Sequence, residues 1–451
     1  MSNGSDAASF EYSAQVASPL VNEQATLVVG PDGLAVTATF DAVEVPWVEI
    51  TSIALADFVV TVQTVAGDYQ FSRLGAWTEA FYDALTGAYN RAVLDALFVE
   101  GEPSVRAAGD YQLSDAGTSA TGSAPVGVYD SAVCVLPPDL GARRVPLCFV
   151  TAMDKGDFWL TLRIADPSGV SPDDFYTFAK LGYQTDAFAA AITSQIRAVR
   201  QNTVAAVRQI DPSLSATQAA QIAKLMPAGA AAPIGQLAAV APSFIQAAEE
   251  AIGQSLAAET YPILTSLCDP AQIRLGFVEH QSSTPADGAA ASLTGGEGGG
   301  LTVPNALASL VAAMPNPAEA GEDQATDEAP AEAEDYPYPY VFWLVAPLAQ
   351  GAVCAVEFAV PKTEAAATFV YRSQDGFDVF AARLNRAMEA VAFAREVISM
   401  PDEQVASREN ARYQMVIERT PALAFIRQRF AGRVIHTSPQ AWEKSLVTYL
   451  G

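Results

Sequence analysis

Basic residues are scarce in this chain, and unevenly so. Of 451 residues, 25 are Lys or Arg against 51 Asp or Glu, a net charge of −26. No Lys or Arg precedes Arg73, and none falls between Arg274 and Lys362. Such a surface repels phosphate and anionic headgroups over about a Debye length, roughly 8 Å in physiological salt, so nucleic acid and bare membrane are poor partners. Histidine is rarer still. Only His280 and His436 titrate near neutrality when unperturbed. His280 follows an expected strand and reads as a rim residue, while His436, in VIHTSP, has no Cys, Ser elbow or acid beside it. The four cysteines, Cys134, Cys148, Cys268 and Cys354, form no C-x-x-C pair and read as reduced core thiols of a cytoplasmic protein.

Chemical motifs are missing as well. There is no G-x-S-x-G, H-E-x-x-H or G-x-x-x-x-G-K-[ST], and the acidic stretches lack EF-hand spacing. The TGGEGGG run, Thr294 to Gly300, does not stand between a strand and a helix, and Glu297 would repel phosphate. No uninterrupted apolar run reaches about 18 residues, and MSNGSDAASFEYS at the start has neither a basic head nor an apolar core. These absences predict a protein that is not an enzyme, has no cofactor or metal, and does not insert into a membrane.

What the chain does have is a stretch written twice. VPWVEITSIALADFVVTV from Val45 returns as VPLCFVTAMDKGDFWLTL from Val145, with Val-Pro standing twelve positions before Asp57-Phe58 and Asp157-Phe158. Farther on, Phe71, Leu74, Gly75 and Phe81 match Phe178, Leu181, Gly182 and Phe188 at identical internal spacings. A turn-rich insertion, Asp166 to Asp174, accounts for the seven-residue slip between the copies. Each copy also changes period. Val59 to Gln63 is dominated by β-branched residues and reads as a strand, whereas Trp77, Phe81, Leu85, Tyr89, Val93 and Leu97 recur every fourth position, one face of a helix. The unit is thus several antiparallel strands closed by a C-terminal helix, with strands expected at Glu11 to Ser18, Ala25 to Val29, Leu34 to Phe40, Val45 to Ala54 and Phe58 to Thr64 in the first copy. Pro31-Asp32-Gly33 is a turn between two of them. In the second copy, strands are expected at Gly127 to Val135, Val145 to Met153 and Phe158 to Ile164, after a loop from Asp115 to Ala124.

The strand meander, the VPW-type strand and the aromatic-rich terminal helix resemble the pleckstrin-homology-like (PH-like) fold, most closely its bacterial and tandem versions, including the paired domains of histone-chaperone middle segments. The resemblance implies a small antiparallel barrel capped by a helix, used to bind proteins, peptides or phosphoinositides. Phosphoinositide binders carry Lys and Arg in the loop joining their first two strands. The matching loop here, read as Gly30 to Gly33, holds an acid and no base, so lipid binding does not carry over.

The resulting class is α+β, with repeated PH-like units and an all-helical middle. Residues 8–100 form the first unit and 104–209 the second. Residues 210–268 are an Ala-rich helical segment with candidate N-caps at Asp211, Ser213 and Ser215, read as an inter-domain packing layer or a groove for a partner helix. Residues 269–400 echo the strands-then-helix order without aligned identities, which leaves a third PH-like unit open. Inside them, 282–335 is expected to be a disordered acidic insertion with a short apolar helix at Leu301 to Met314. Residues 401–451 are a helical segment rich in arginine, read as docking back onto the acidic body or as a helix offered to a partner.

The expected function is a protein-binding scaffold or adaptor. Trp47, Arg73, Trp77 and Tyr82 are the candidate groove rim, although Trp77 also lies on the apolar stripe, where core packing is the stronger reading. The alternative is an acidic chaperone-like binder of a basic protein, acting through Glu319, Glu322, Asp323, Asp327, Glu328, Glu332, Glu334 and Asp335. A lipid binder or an enzyme comes last.

Overall fold

The computed structural model describes residues 11–164, 174–279, 336–362 and 366–450. The acidic insertion, the Leu301 to Met314 helix, His280 and most of the Asp166 to Asp174 insertion lie outside them. The architecture is mixed α+β with antiparallel sheets, and the chain divides into two compact units: residues 1–201 with 378–428, and residues 202–377 with 429–451.

In the first unit, the first copy supplies β1 (Glu11–Ala17), β2 (Gln24–Val29), β3 (Gly33–Thr37), β4 (Ala42–Pro46), β5 (Ile50–Ala56), β6 (Val59–Thr64) and β7 (Gly67–Ser72), then helix α1 (Thr78–Ala96). The second supplies β8 (Val105–Asp115), β9 (Thr118–Val128), β10 (Ala132–Val135), β11 (Arg143–Pro146), β12 (Ala152–Lys155), β13 (Trp159–Ile164) and β14 (Asp174–Ala179), then α2 (Thr185–Ile210). The first sheet runs β4-β3-β2-β1-β7-β6-β5 and the second β11-β10-β9-β8-β14-β13-β12, the same order twice. Equivalent residues do equivalent work. Phe71 meets Phe81 edge-on at 5.6 Å between centroids, and Phe178 meets Phe188 at 5.7 Å. Each helix lays its apolar stripe on its sheet, with Phe81, Leu85, Tyr89 and Val93 buried in one and Phe188 and Ile192 in the other.

Several boundaries differ from the sequence reading for identifiable reasons. The strand expected from Val45 to Ala54 is two, interrupted by a 3-10 turn at Trp47–Glu49, and Leu147–Phe149 makes the same break in the second copy. Pro46 and Pro146 lack the N–H that a continuing ladder needs. β4 and β5 are therefore the edges of an open sheet, not neighbours in a closed barrel. The loop expected at Asp115 to Ala124 is a long hairpin, β8–β9, turned by Ala116 and Gly117 at φ 53° and 87°. Two consecutive left-handed residues suit the twist of a two-residue hairpin, and their small side chains make that turn accessible. The Gly30 to Gly33 turn joins β2 to β3. The loop joining the first two strands is 18–23, which also lacks a base.

The first unit also contains helices within residues 378–428. Ala411–Arg419 packs against α1. Its arginines dock on acids and carbonyls: Arg408 donates to Glu44 at 2.7 Å, and Arg412 donates to the Asp95 carbonyl at 3.0 Å while lying 3.9 Å over the Phe98 ring.

The second unit is built on a third sheet: β15 (Ala232–Pro233), β16 (Arg274–Glu279), β17 (Tyr340–Leu348), β18 (Val353–Ala359), β19 (Ala367–Arg372) and β20 (Phe430–Ile435), paired in that order. This simple meander does not repeat the order of the first two sheets. The Ala-rich helices, among them Ala216–Leu225 and Pro242–Gly253, pack on it, with Ala219, Ile222, Phe244, Ala248 and Ile252 in one core with Phe342, Leu344 and Val353. They are a layer on this sheet. Ser215 is a true N-cap, closing a capping box with Gln218. Phe430, expected on a helix, is in a strand, because β19 needs an edge partner and the 430–435 segment supplies one.

Candidate functional site

The four residues expected on a groove rim separate by burial. Trp47 is not on a rim. It is 3% exposed, packs edge-on against Tyr89 and donates its indole N–H to the Pro31 carbonyl at 2.7 Å. A tryptophan with its one donor satisfied by backbone is a core residue. Tyr82 is half-buried on α1, and burial, with Asp83 adding to it, raises its phenol above the ordinary value. Arg73 and Trp77 are exposed, Trp77 at 62%, because α1 begins only at Thr78 and the stripe on which Trp77 was placed does not extend back to it.

Arg73 and Trp77 belong to a feature that occurs in both copies. Each sheet strand leaving toward the helix ends in a left-handed residue, Arg73 (φ 59°) or Lys180 (φ 58°), followed by a buried leucine and a left-handed glycine, Gly75 (φ 60°) or Gly182 (φ 59°). Thr78 and Thr185 then donate back to those glycine carbonyls, both at 2.9 Å. Across the ladder, Val60 pairs with Phe71, so the register places Phe58 opposite Arg73. In the second copy the Lys180 N–H donates to the Phe158 carbonyl at 3.1 Å. Each sheet thus has one end where a basic residue stands beside exposed aromatics: Phe58 and Trp77 in one, Phe158, Trp159 and Tyr183 in the other. Phe58 is 78% exposed while held at φ 60°, a conformation that disfavours a bulky side chain. Phe158, in the second copy, is exposed without that conformation. Phe58 and Phe158 were visible in the sequence as the repeated Asp-Phe pair, but the sequence did not show which way they point.

Two buried polar clusters lie elsewhere. In the first unit, Arg386 donates to Asp115 at 2.5 Å, to Asp174, and to the Tyr176 hydroxyl at 3.1 Å. Arg144 forms a two-pronged pair with Glu389, at 2.5 and 2.7 Å. Burial works against both guanidinium charges, yet Asp115 for Arg386 and Glu389 for Arg144 raise their proton affinities overall. Arg419, 2% exposed, donates to the Tyr89 hydroxyl at 2.7 Å and to the Met415 carbonyl at 3.0 Å. In the second unit, fully buried Glu357 accepts from Thr368 and lies 3.1 Å from His436 Nε2, and the Trp442 indole donates to Thr368 at 2.8 Å. The acid that His436 lacked in sequence is supplied by a strand 79 residues earlier. Burial lowers the affinity of His436 for its proton, but the hydrogen bond and charge of Glu357 outweigh this and leave it raised. The hydroxyl beside this pair is that of Thr368, fully buried and 3.2 Å from His436 Nε2, and burial pushes the Cys134 and Cys354 thiols up to about 12.

Among the described residues, no group of three or more His, Cys, Asp or Glu could hold a metal ion, and no helix is long and apolar enough to cross a membrane. No protein-family model matches the chain, and no curated protein is significantly similar to it.

Proposed function

We propose that this chain is a non-enzymatic protein-binding scaffold, and that its two PH-like units each offer their aromatic–basic end to a partner protein. The PH-like reading is supported by seven antiparallel strands in one order, followed by a helix, in each copy. The observation that carries the binding role is the repeated end itself, where Phe58, Arg73 and Trp77, and then Phe158, Trp159, Lys180 and Tyr183, stay exposed in and beside the turns that flank the strands. Trp, Tyr and Arg dominate the binding energy of protein interfaces, since they bury large area with few rotors to immobilise. Scattered exposed apolar residues are ordinary on any protein. An exposed phenylalanine and an exposed basic residue repeated at equivalent positions, Phe58 with Phe158 and Arg73 with Lys180, are not.

The test is capture of partners from the host's own lysate by the intact chain, by a variant carrying Phe58→Ser, Trp77→Ser, Phe158→Ser and Tyr183→Ser, and by a chain without residues 282–335. Loss of a partner with the first variant, at low and high salt alike, supports the reading. Undiminished capture by that variant rejects it. Partners that vanish with the 282–335 deletion, or with salt, would favour the acidic chaperone-like alternative, in which Glu319 to Asp335 hold a basic protein.

A further inference from the structure

A small cavity in the first unit is lined by Asp115, Arg144, Arg386, Arg419, Thr420 and Ala422, among others, and has a volume of about 20 Å³. That is room for one water-sized occupant. Phosphate, sulfate and carboxylate are too large for it. The charged groups facing it are three guanidiniums and one carboxylate, in a molecule whose net charge is −26. Asp115 is already engaged by Arg386, and the carboxylates that pair with Arg144 and Arg386 from the other side, Glu389 and Asp174, are not among the lining residues.

Arg419 is the least balanced of the three. Among the described residues, the carboxylate paired with it is that of Glu418 at 3.3 Å, whose side chain is 34% exposed, whereas that of Arg419 is 1% exposed. The Nε groups of Arg419 and of Arg144 are buried without a hydrogen-bond acceptor. A buried charge without a nearby counter-charge is costly. A further donor set comes from the chain's backbone. The Pro421–Gln428 helix begins at the cavity, with Thr420 before its first residue and Ala422 in its first turn. Pro421 has no N–H, and Leu423 and Ala424 donate to the Thr420 carbonyl at 3.0 and 3.1 Å, so the helix offers the Ala422 N–H, where its dipole favours negative charge.

We propose that this cavity binds a single monatomic anion of chloride's size, held by Arg144, Arg386, Arg419 and the first turn of the Pro421–Gln428 helix. The anion accepts from the buried Nε groups of Arg144 and Arg419, in the segment that packs against both repeated copies within the unit. It is therefore a structural ligand of the first unit, and binding stabilises the fold by mass action. At ten times its dissociation constant it multiplies the folded-to-unfolded ratio about elevenfold.

The experiment compares the unfolding temperature of the full chain in sodium chloride and in sodium gluconate at matched ionic strength, because gluconate screens charge but cannot enter the cavity. The expected result is a chloride-specific rise that saturates, is reproduced by bromide, and disappears in Arg419→Gln. Should that variant fail to fold, Ala422→Val removes no ionic partner and fills the space, so it should lose the chloride increment while folding. In crystals grown in bromide, an anomalous peak beside Arg419 is expected. Equal unfolding temperatures in the two salts, or a water in that position in the bromide crystals, would overturn the proposal.

Discussion

Arg386 and His436 illustrate how single residues act through partners distant in sequence. Arg386 faces two carboxylates, Asp115 and Asp174, and a buried tyrosine. Replacing Arg386 by Met strips Asp115 of its ion-pair partner and leaves Asp174 with Arg383 at 3.8 Å, and breaking a buried pair from one side costs about 3–5 kcal/mol. The first unit of Arg386→Met should unfold at correspondingly lower urea, read by tryptophan fluorescence, while Arg386→Lys should recover only part of the loss because an ammonium cannot span both acids. His436 predicts a pH dependence of known sign. Its native proton affinity is raised above the ordinary value of 6.5. The contribution is therefore complete below that value and is lost as pH rises through the higher native value. The urea midpoint of the second unit should fall across that window, and His436→Gln should flatten the fall. A midpoint in the unaltered chain that is level from mildly acid to mildly alkaline pH would contradict the assignment.

At the scale of elements, the β5–β6 hairpin is the informative case. Asp57 and Phe58 both occupy the left-handed region, at φ 49° and 60°, whereas Asn-Gly is the pair such a two-residue turn prefers. Holding a non-glycine residue there costs roughly 1–2 kcal/mol. Asp57→Asn with Phe58→Gly should raise stability by about 1 kcal/mol, since an exposed Phe58 contributes little burial. The same change should weaken partner capture. Stabilisation without any loss of binding would mean that Phe58 is an unselected side chain. The helices behave differently, because their stability lies in what they bury. Phe81→Ala on α1 empties a fully buried site against Phe71 and should cost about 3–5 kcal/mol by thermal or urea unfolding.

The molecule as a whole is assembled from segments that are discontinuous in sequence. Residues 429–451 return to the second unit after residues 378–428 have served the first. β20 pairs with β19, and Trp442 and Leu446 enter the core on the third sheet. A chain ending at Gln428 should lose hydrogen-exchange protection in β16 to β19 while keeping it in the two seven-stranded sheets. Uniform loss throughout would show that the two units unfold as one. The scarcity of cations also has its meaning at this scale. Many of the chain's few arginines, Arg144, Arg386, Arg408, Arg412 and Arg419 among them, are placed against acids, carbonyls or aromatic rings within the first unit. They join late helices to early strands, and surface pairs such as Arg408 with Glu44 add little, about 0–1 kcal/mol each, beside the buried ones.

By itself the sequence determined the repeated element order, because the Val-Pro, Asp-Phe and Phe…Leu-Gly…Phe spacings are local and periodicity records which face each residue turns inward. It showed the strand-to-helix switch in each copy and the apolar stripe from Phe81 onward. The tertiary structure decided what depends on long-range partners. Trp47 became core because Pro31 and Tyr89 meet it there. Trp77 stayed exposed because α1 starts one residue after it. Residues 430–435 became a strand because β19 had a free edge. Glu357 found His436, and Arg386 found Asp115 and Asp174, across separations that no periodicity encodes. Local spacing specifies an element and its inward face, whereas exposure, charge pairing and strand adjacency are properties of the assembled chain.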